Sequence, residues 1–104
     1  MVIVMFQVEM RKDADLVDYD ACAQRMDELV RQIPGFISIK GYVAEDGEKI
    51  SIVRFESKEA LDMWRHHPEH VEAQQKGRNH FYDSYSVQVC ETVREYEYRH
   101  QLPL

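Results

Sequence analysis

A ferredoxin-like α+β fold is predicted by three features of the chain. Strand-like and helix-like stretches follow one another in the order β-α-β-β-α-β. A firm hairpin signal joins the two middle strands. Each helical stretch has an apolar face and recognisable end signals. That order is the split βαβ arrangement, a four-stranded antiparallel sheet with its helices on one face. The length of 104 residues fits one domain spanning 1–104. A chain of this size buries roughly 65% of its unfolded surface, enough for one modest core.

The opening "VIVMFQVEM" is β-branched and apolar over Val2–Val8 and gives way to the charged "RKDAD", so it reads as a buried first strand. From Tyr19 the period changes. Tyr19, Cys22, Met26, Leu29, Val30 and Ile33 recur at spacings of three and four, with charged residues between them. That is one face of an amphipathic helix. Asp15, Asp18 and Asp20 sit near its start, where they complement the helix dipole. "IPGF" ends it, because Pro34 lacks a donor and Gly35 permits a reversal.

Phe36–Val43 and "KISIVRF" are the two middle strands. Asp46-Gly47 between them is a hairpin turn signal, and Gly41 is the expected bulge. "SKEALDMW" starts the second helix, with Ser57 as N-cap and Glu59 in its first turn. His67-Pro68 breaks and restarts that helix, which then runs to Gly77 as the expected C-cap. The alternating tail "HFYDSYSVQVCETVREYEY" reads as an overlong last strand, and 98–104 as a loose end. Helices on one face leave the other sheet face bare. A second copy would cover it sheet to sheet, with the last strand, and Tyr96 and Tyr98 at its end, reaching across to the partner.

Composition narrows the function. Net charge is −6 with a pI near 5.3, and an acidic surface repels phosphate backbones, which argues against nucleic-acid binding. No apolar run approaches the roughly 20 residues of a bilayer span. The N-terminus has no basic region or small-residue cleavage site. Cys22 and Cys90 lie far apart with no CxxC, as in a reducing, cytoplasmic setting.

The segment Met63–Tyr85 holds the only Trp and four of the five His. On a helix starting at Pro68, His70, Gln74, Gly77 and Arg78 share one face. This polar stripe has two readings: the lining of a site, or the solvated face of a surface helix with Val71 and Gln75 turned inward. His66 and His70 are four apart, a spacing used by zinc helices. Pro68 intervenes, however, and no HExxH pattern exists, so no metal site is expected. His67 is expected as an N-cap or a solvated side chain, and His80 opens the last strand. The methionines and most Phe and Tyr side chains read as packing.

"PGF" followed by "FISIKGY", then "FESKEALDMWRHHPEHVEAQQKGR" and a Tyr-rich final strand, resembles the antibiotic biosynthesis monooxygenase domain family over nearly the whole chain. The resemblance implies a dimeric α+β barrel. It also implies a choice among cofactor-independent monooxygenases, haem-degrading enzymes and members without catalysis. Trp64 matches the Trp of both enzyme branches. Against the haem-degrading branch, Gln7 stands where an Asn is expected and Gln74 where the iron-binding His is expected. An amide is no ordinary axial haem ligand, so haem is disfavoured and no cofactor is expected. Against the quinone-forming branch, His70 replaces a Tyr and Ala60 an Asn.

The expected chemistry is oxidation of a small hydrophobic substrate, aromatic or quinol-like, by dioxygen. His70 would take a proton, because imidazole titrates near neutrality. Trp64 would offer a flat wall and an indole N–H. Gln7, Gln74 and Arg78 would position the substrate if they face the same cavity, and Phe81 would contact it. The alternative is a dimeric binding module that holds the same kind of ligand unchanged.

Overall fold

A computed structural model of the chain describes residues 1–101. The elements are β1 (Val2–Met10), α1 (Leu16–Val30), β2 (Phe36–Val43), β3 (Lys49–Phe55), α2 (Lys58–Arg65), α3 (Pro68–Lys76), a π-helical turn (Gly77–Phe81) and β4 (Tyr82–Glu91). The sheet order is β2-β3-β1-β4, and every neighbouring pair is antiparallel. This is the ferredoxin-like arrangement expected from the sequence.

The alternation of β1 decides what each face carries. Val2 and Val8 are buried beneath the helices, with Val4 packed against the core. Ile3, Met5 and Gln7 therefore point to the opposite, uncovered face. The core cluster gathers toward one end: Val2, Val30, Val53, Phe55, Leu61 and Trp64 pack there. Val8 and Phe81 are also buried, outside that cluster.

Several expectations are corrected. Helix α1 starts at Leu16, before the apolar period is visible, because the Asp15 carboxylate caps it by accepting from the Val17 and Asp18 amides at 3.1 Å each. It ends at Val30, and the Gln32 and Ile33 amides fold back in tight turns onto the Leu29 and Val30 carbonyls. Gly35 then reverses the chain at φ +89°. The strand irregularity lies at Ile37, not Gly41: Gly41 pairs regularly with Ser51, whereas the register shifts between Phe36 and Ser38. The extra residue lets Phe36 pair with Phe55 and meet its ring edge-on at 6.2 Å.

The hairpin forms as expected. Gly47 takes φ +91°, its N–H bonds the Ala44 carbonyl at 2.9 Å, and Asp46 accepts from the Glu48 amide at 3.0 Å. Ser57 caps α2 through the Ala60 amide, and His67 caps α3 through the Glu69 amide. Gly77 is the C-cap of α3 as expected, but not a left-handed one. Its φ is −59°, and the backbone continues into the π-helical turn. A Cβ there would collide with the Tyr82 ring, so the position requires glycine for space and not for its dihedral angles.

Strand β4 stops at Glu91, well short of Tyr98. Its partner β1 begins at Val2, and the last link is the Thr92 amide to the Met1 carbonyl. Beyond that point the alternation has nothing to pair with. Residues 92–101 have no regular structure, and Val93, Tyr96 and Tyr98 are exposed. Of the loose end expected over 98–104, residues 102–104 lie outside the described residues. No helix among the described residues is long and apolar enough to cross a membrane.

Candidate active site

A cavity of about 560 Å³ lies between the sheet and the helices. That volume lies within the range of small-molecule pockets. Its floor is Val4 and Phe6 of β1 with Val53 of β3, and α1 contributes Tyr19, Cys22 and Met26. Trp64, His70 and Gln74 close it from α2 and α3, and Phe81 comes from the π-helical turn. Tyr85, Val87 and Val89 of β4 line its remaining side and stay 39–53% exposed, because no helix covers that strand.

Two short helices meeting at His67-Pro68 create the corner at which Trp64 and His70 meet. Trp64 is 8% exposed and belongs to the core cluster. The His70 ring stacks on the indole, centroids 4.2 Å apart at 19°. Its Nδ1 lies 3.1 Å from the Trp64 carbonyl oxygen. A carbonyl can only accept, so Nδ1 carries the proton and Nε2 keeps its lone pair. Burial lowers the His70 pKa below the usual imidazole value, the Trp64 carbonyl works against that shift, and the nearby His67 adds to it. The ring is therefore a neutral base at pH 7.

The remaining site candidates divide. Gln74 and Phe81 line the cavity with His70 and Trp64. Phe81 is 2% exposed and meets Tyr19 edge-on at 5.5 Å. Gln7 is not part of the lining. It lies on the open sheet face, where Ser86 donates to its Oε1 at 3.1 Å and its Nε2 donates to Glu48 at 3.4 Å. The alternation that buries Val8 turns Gln7 away. Arg78 also lies outside the lining: its Nη1 donates to the Tyr85 hydroxyl at 3.2 Å. The π-helical turn breaks the α-helical stripe after Gln74 and re-aims Arg78 toward β4. Val71 and Gln75 are not turned inward: both are exposed, as are Gln74 and Arg78, and of the stripe His70 is the partly buried residue. Ala60 packs against Gly35 in the core, away from the cavity.

Three phenols line the cavity although the sequence reading placed no chemistry on them. Burial raises the Tyr82 and Tyr19 pKa values, with Asp20 and Cys22 adding to the rise at Tyr19, so both stay neutral. Burial also raises the Cys22 thiol, outweighing the nearby Lys76, so Cys22 is a poor nucleophile. The signal for Tyr85 was legible, because it alternates with Val87 and Val89 on one side of the last strand.

Gln74 in the lining is an amide and no ordinary axial haem ligand. Among the described residues no group of three His, Cys, Asp or Glu could hold a metal ion.

Comparison with known proteins gives a consistent set of likenesses. The antibiotic biosynthesis monooxygenase family model matches residues 1–76. YqjZ, an uncharacterised protein of Bacillus subtilis, is 38% identical over 77 residues, 74% of this chain and 68% of that one. Rv0793 of Mycobacterium tuberculosis superposes with a TM-score of 0.80 at 25% identity, over 92% of this chain and 98% of the other. SnoaB of Streptomyces nogalater, described as a cofactor-independent oxygenase, has a TM-score of 0.74 at 10% identity, over 90% and 94% of the two chains. At that identity the likeness to SnoaB is one of fold.

Proposed function

The chain belongs to the antibiotic biosynthesis monooxygenase family, and we propose that it is a cofactor-independent monooxygenase acting on a small hydrophobic substrate, aromatic or quinol-like. The observation that carries this reading is the His70–Trp64 corner: a neutral imidazole with a free Nε2 lone pair, facing an apolar cavity. The substrate ring lies over Phe6 and against the aromatic walls. Nε2 removes a proton from an activated carbon, and the electron pair stays on the substrate. Dioxygen takes one electron, and the two radicals join as a peroxide on that carbon. The peroxide regains the proton from His70; the second C–H of that carbon then breaks together with the O–O bond, so that water leaves and a carbonyl remains. One oxygen atom enters the substrate and the other departs in water. Gln74 donates to substrate oxygen, and Phe81 fixes the ring.

Oxygen uptake with a panel of quinols and activated aryl methylenes tests this. Wild type is expected to consume dioxygen. His70→Gln is expected to lose about 10²–10⁴-fold in rate while still quenching Trp64 fluorescence on binding. Ligand that binds and returns unchanged would instead make the protein a binding module.

The open sheet face supports a homodimer. Ile3 and Met5 of β1, Ile50 and Ile52 of β3 and Tyr42 of β2 share it by register, with Arg54 and Lys40 beside them. Light scattering should give twice 12.4 kDa, and Ile52→Glu should return a monomer; a monomeric wild type would sink the dimer. Two free thiols suit a cytoplasmic setting, and fractionation would check it.

A further inference from the structure

We infer that Tyr85, oriented by Arg78, is the hydrogen-bond donor that receives the substrate oxygen as negative charge builds on it. This rests on the reading of the cavity as an oxidation site. His70 supplies an acceptor, and the Gln74 amide is a neutral donor with no charge behind it. Removing a proton places an electron pair on the substrate, and in an apolar cavity that charge needs a donor aimed at it.

Among the described residues, Tyr85 is the one cavity phenol whose hydroxyl accepts a hydrogen bond from a cation, with Arg78 Nη1 at 3.2 Å. Its oxygen lone pair is thereby engaged, and its own O–H is left to donate. The positive charge behind it strengthens that donation. The ring is held between Phe6, centroids 5.6 Å apart, and Tyr82, 5.8 Å.

Arg78 is fixed in turn. Its carbonyl accepts from Arg11 Nη2 at 3.0 Å, while the same guanidinium grips the Asn79 carbonyl at 2.9 Å and the Tyr82 carbonyl at 3.2 Å. Arg78 makes no ion pair among the described residues, although the chain carries 19 acidic side chains. Its side chain is exposed and reaches the rim of the cavity at Tyr85. Arg78 is a positioning residue, because it reaches the substrate only through the Tyr85 hydroxyl.

4-Nitrophenol tests the assignment without turnover, because its ionised form absorbs separately from its neutral form. Bound to wild type, the probe is expected to ionise at lower pH than when bound to Tyr85→Phe. The phenolate should bind Tyr85→Phe at least about tenfold more weakly, while nitrobenzene, which has no hydroxyl, binds both proteins alike. Arg78→Gln should reproduce part of the loss and Arg78→Lys should restore it. Equal phenolate binding by wild type and Tyr85→Phe would overturn the assignment, as would failure of wild type to bind the probe. Oxygen uptake that depends on His70 would stand in either case, which separates this inference from the proposed function.

Discussion

His70 lies flat on Trp64, ring centroids 4.2 Å apart, and donates Nδ1–H to the carbonyl of that same residue. One residue thus sets both the ring plane and the tautomer of the other. The stack needs the break at Pro68, because an unbroken helix would carry position 70 round to another face. The single tryptophan therefore serves the core with one side of its ring and the site with the other.

The depressed His70 pKa has a definite sign in two measurements. Activity that needs the neutral base should hold through pH 7, with its acid limb below the usual imidazole value of about 6.5. Stability should follow the same group. Between the folded and unfolded pKa values the unfolded chain binds more protons, so stability rises with pH there. The contribution is complete above the unfolded value and is lost as pH falls through the folded one. Urea midpoints at pH 7 and pH 5 should therefore drop further for wild type than for His70→Gln. An equal drop would show that the ring is not desolvated.

The glycines should separate by mechanism. Gly77→Ala drives a methyl into the Tyr82 ring and should cost about 1–3 kcal/mol. Gly35→Ala meets Ala60 at a positive φ of 89° and should cost at least about 1 kcal/mol. Gly41→Ala meets nothing within 4 Å in a strand and should be neutral or stabilise by about 0.5 kcal/mol. Chemical denaturation of the three variants checks the order; a costly Gly41→Ala would contradict the regular pairing of β2.

Helix α3 buries no residue and is tied to α1 by charge. Arg25 grips Glu69 at 2.9 and 3.0 Å, and Lys76 meets Asp18 at 2.8 Å. Such exposed pairs weaken with salt. Hydrogen exchange over Glu72–Lys76 should accelerate in 1 M salt (about 3 Å Debye length) and in Glu69→Gln, while β1 amides keep their protection. Exchange that ignores salt would mean that packing of His70 and Ala73 alone holds the helix.

The elements were legible where local chemistry decides them. Alternation in β1 and β3, the Asp46-Gly47 turn, the Ser57 cap and the Pro68 restart all act over a few residues. The parts that were not legible depend on distant partners. Gly77 looks like a helix stop until the Tyr82 ring is placed beside it. The last strand alternates as far as Tyr98, yet it ends at Glu91 because β1 has no more residues to offer. Within the site, the His70–Gln74 spacing survived because α3 is a regular helix that far. Arg78 left the stripe because the π-helical turn changes the helical period after Lys76. Gln7 is turned outward by the same alternation that buries Val8.

Nitrogen-15 NMR of the His70 ring tests the arrangement at the cavity most directly. The expected result is a protonated Nδ1, a bare Nε2, a pKa below about 6.5, and an Nε2 resonance that moves when a phenolic ligand quenches Trp64 fluorescence. A proton on Nε2, or an Nε2 signal indifferent to a ligand that quenches Trp64, would contradict the assignment of His70 as the base.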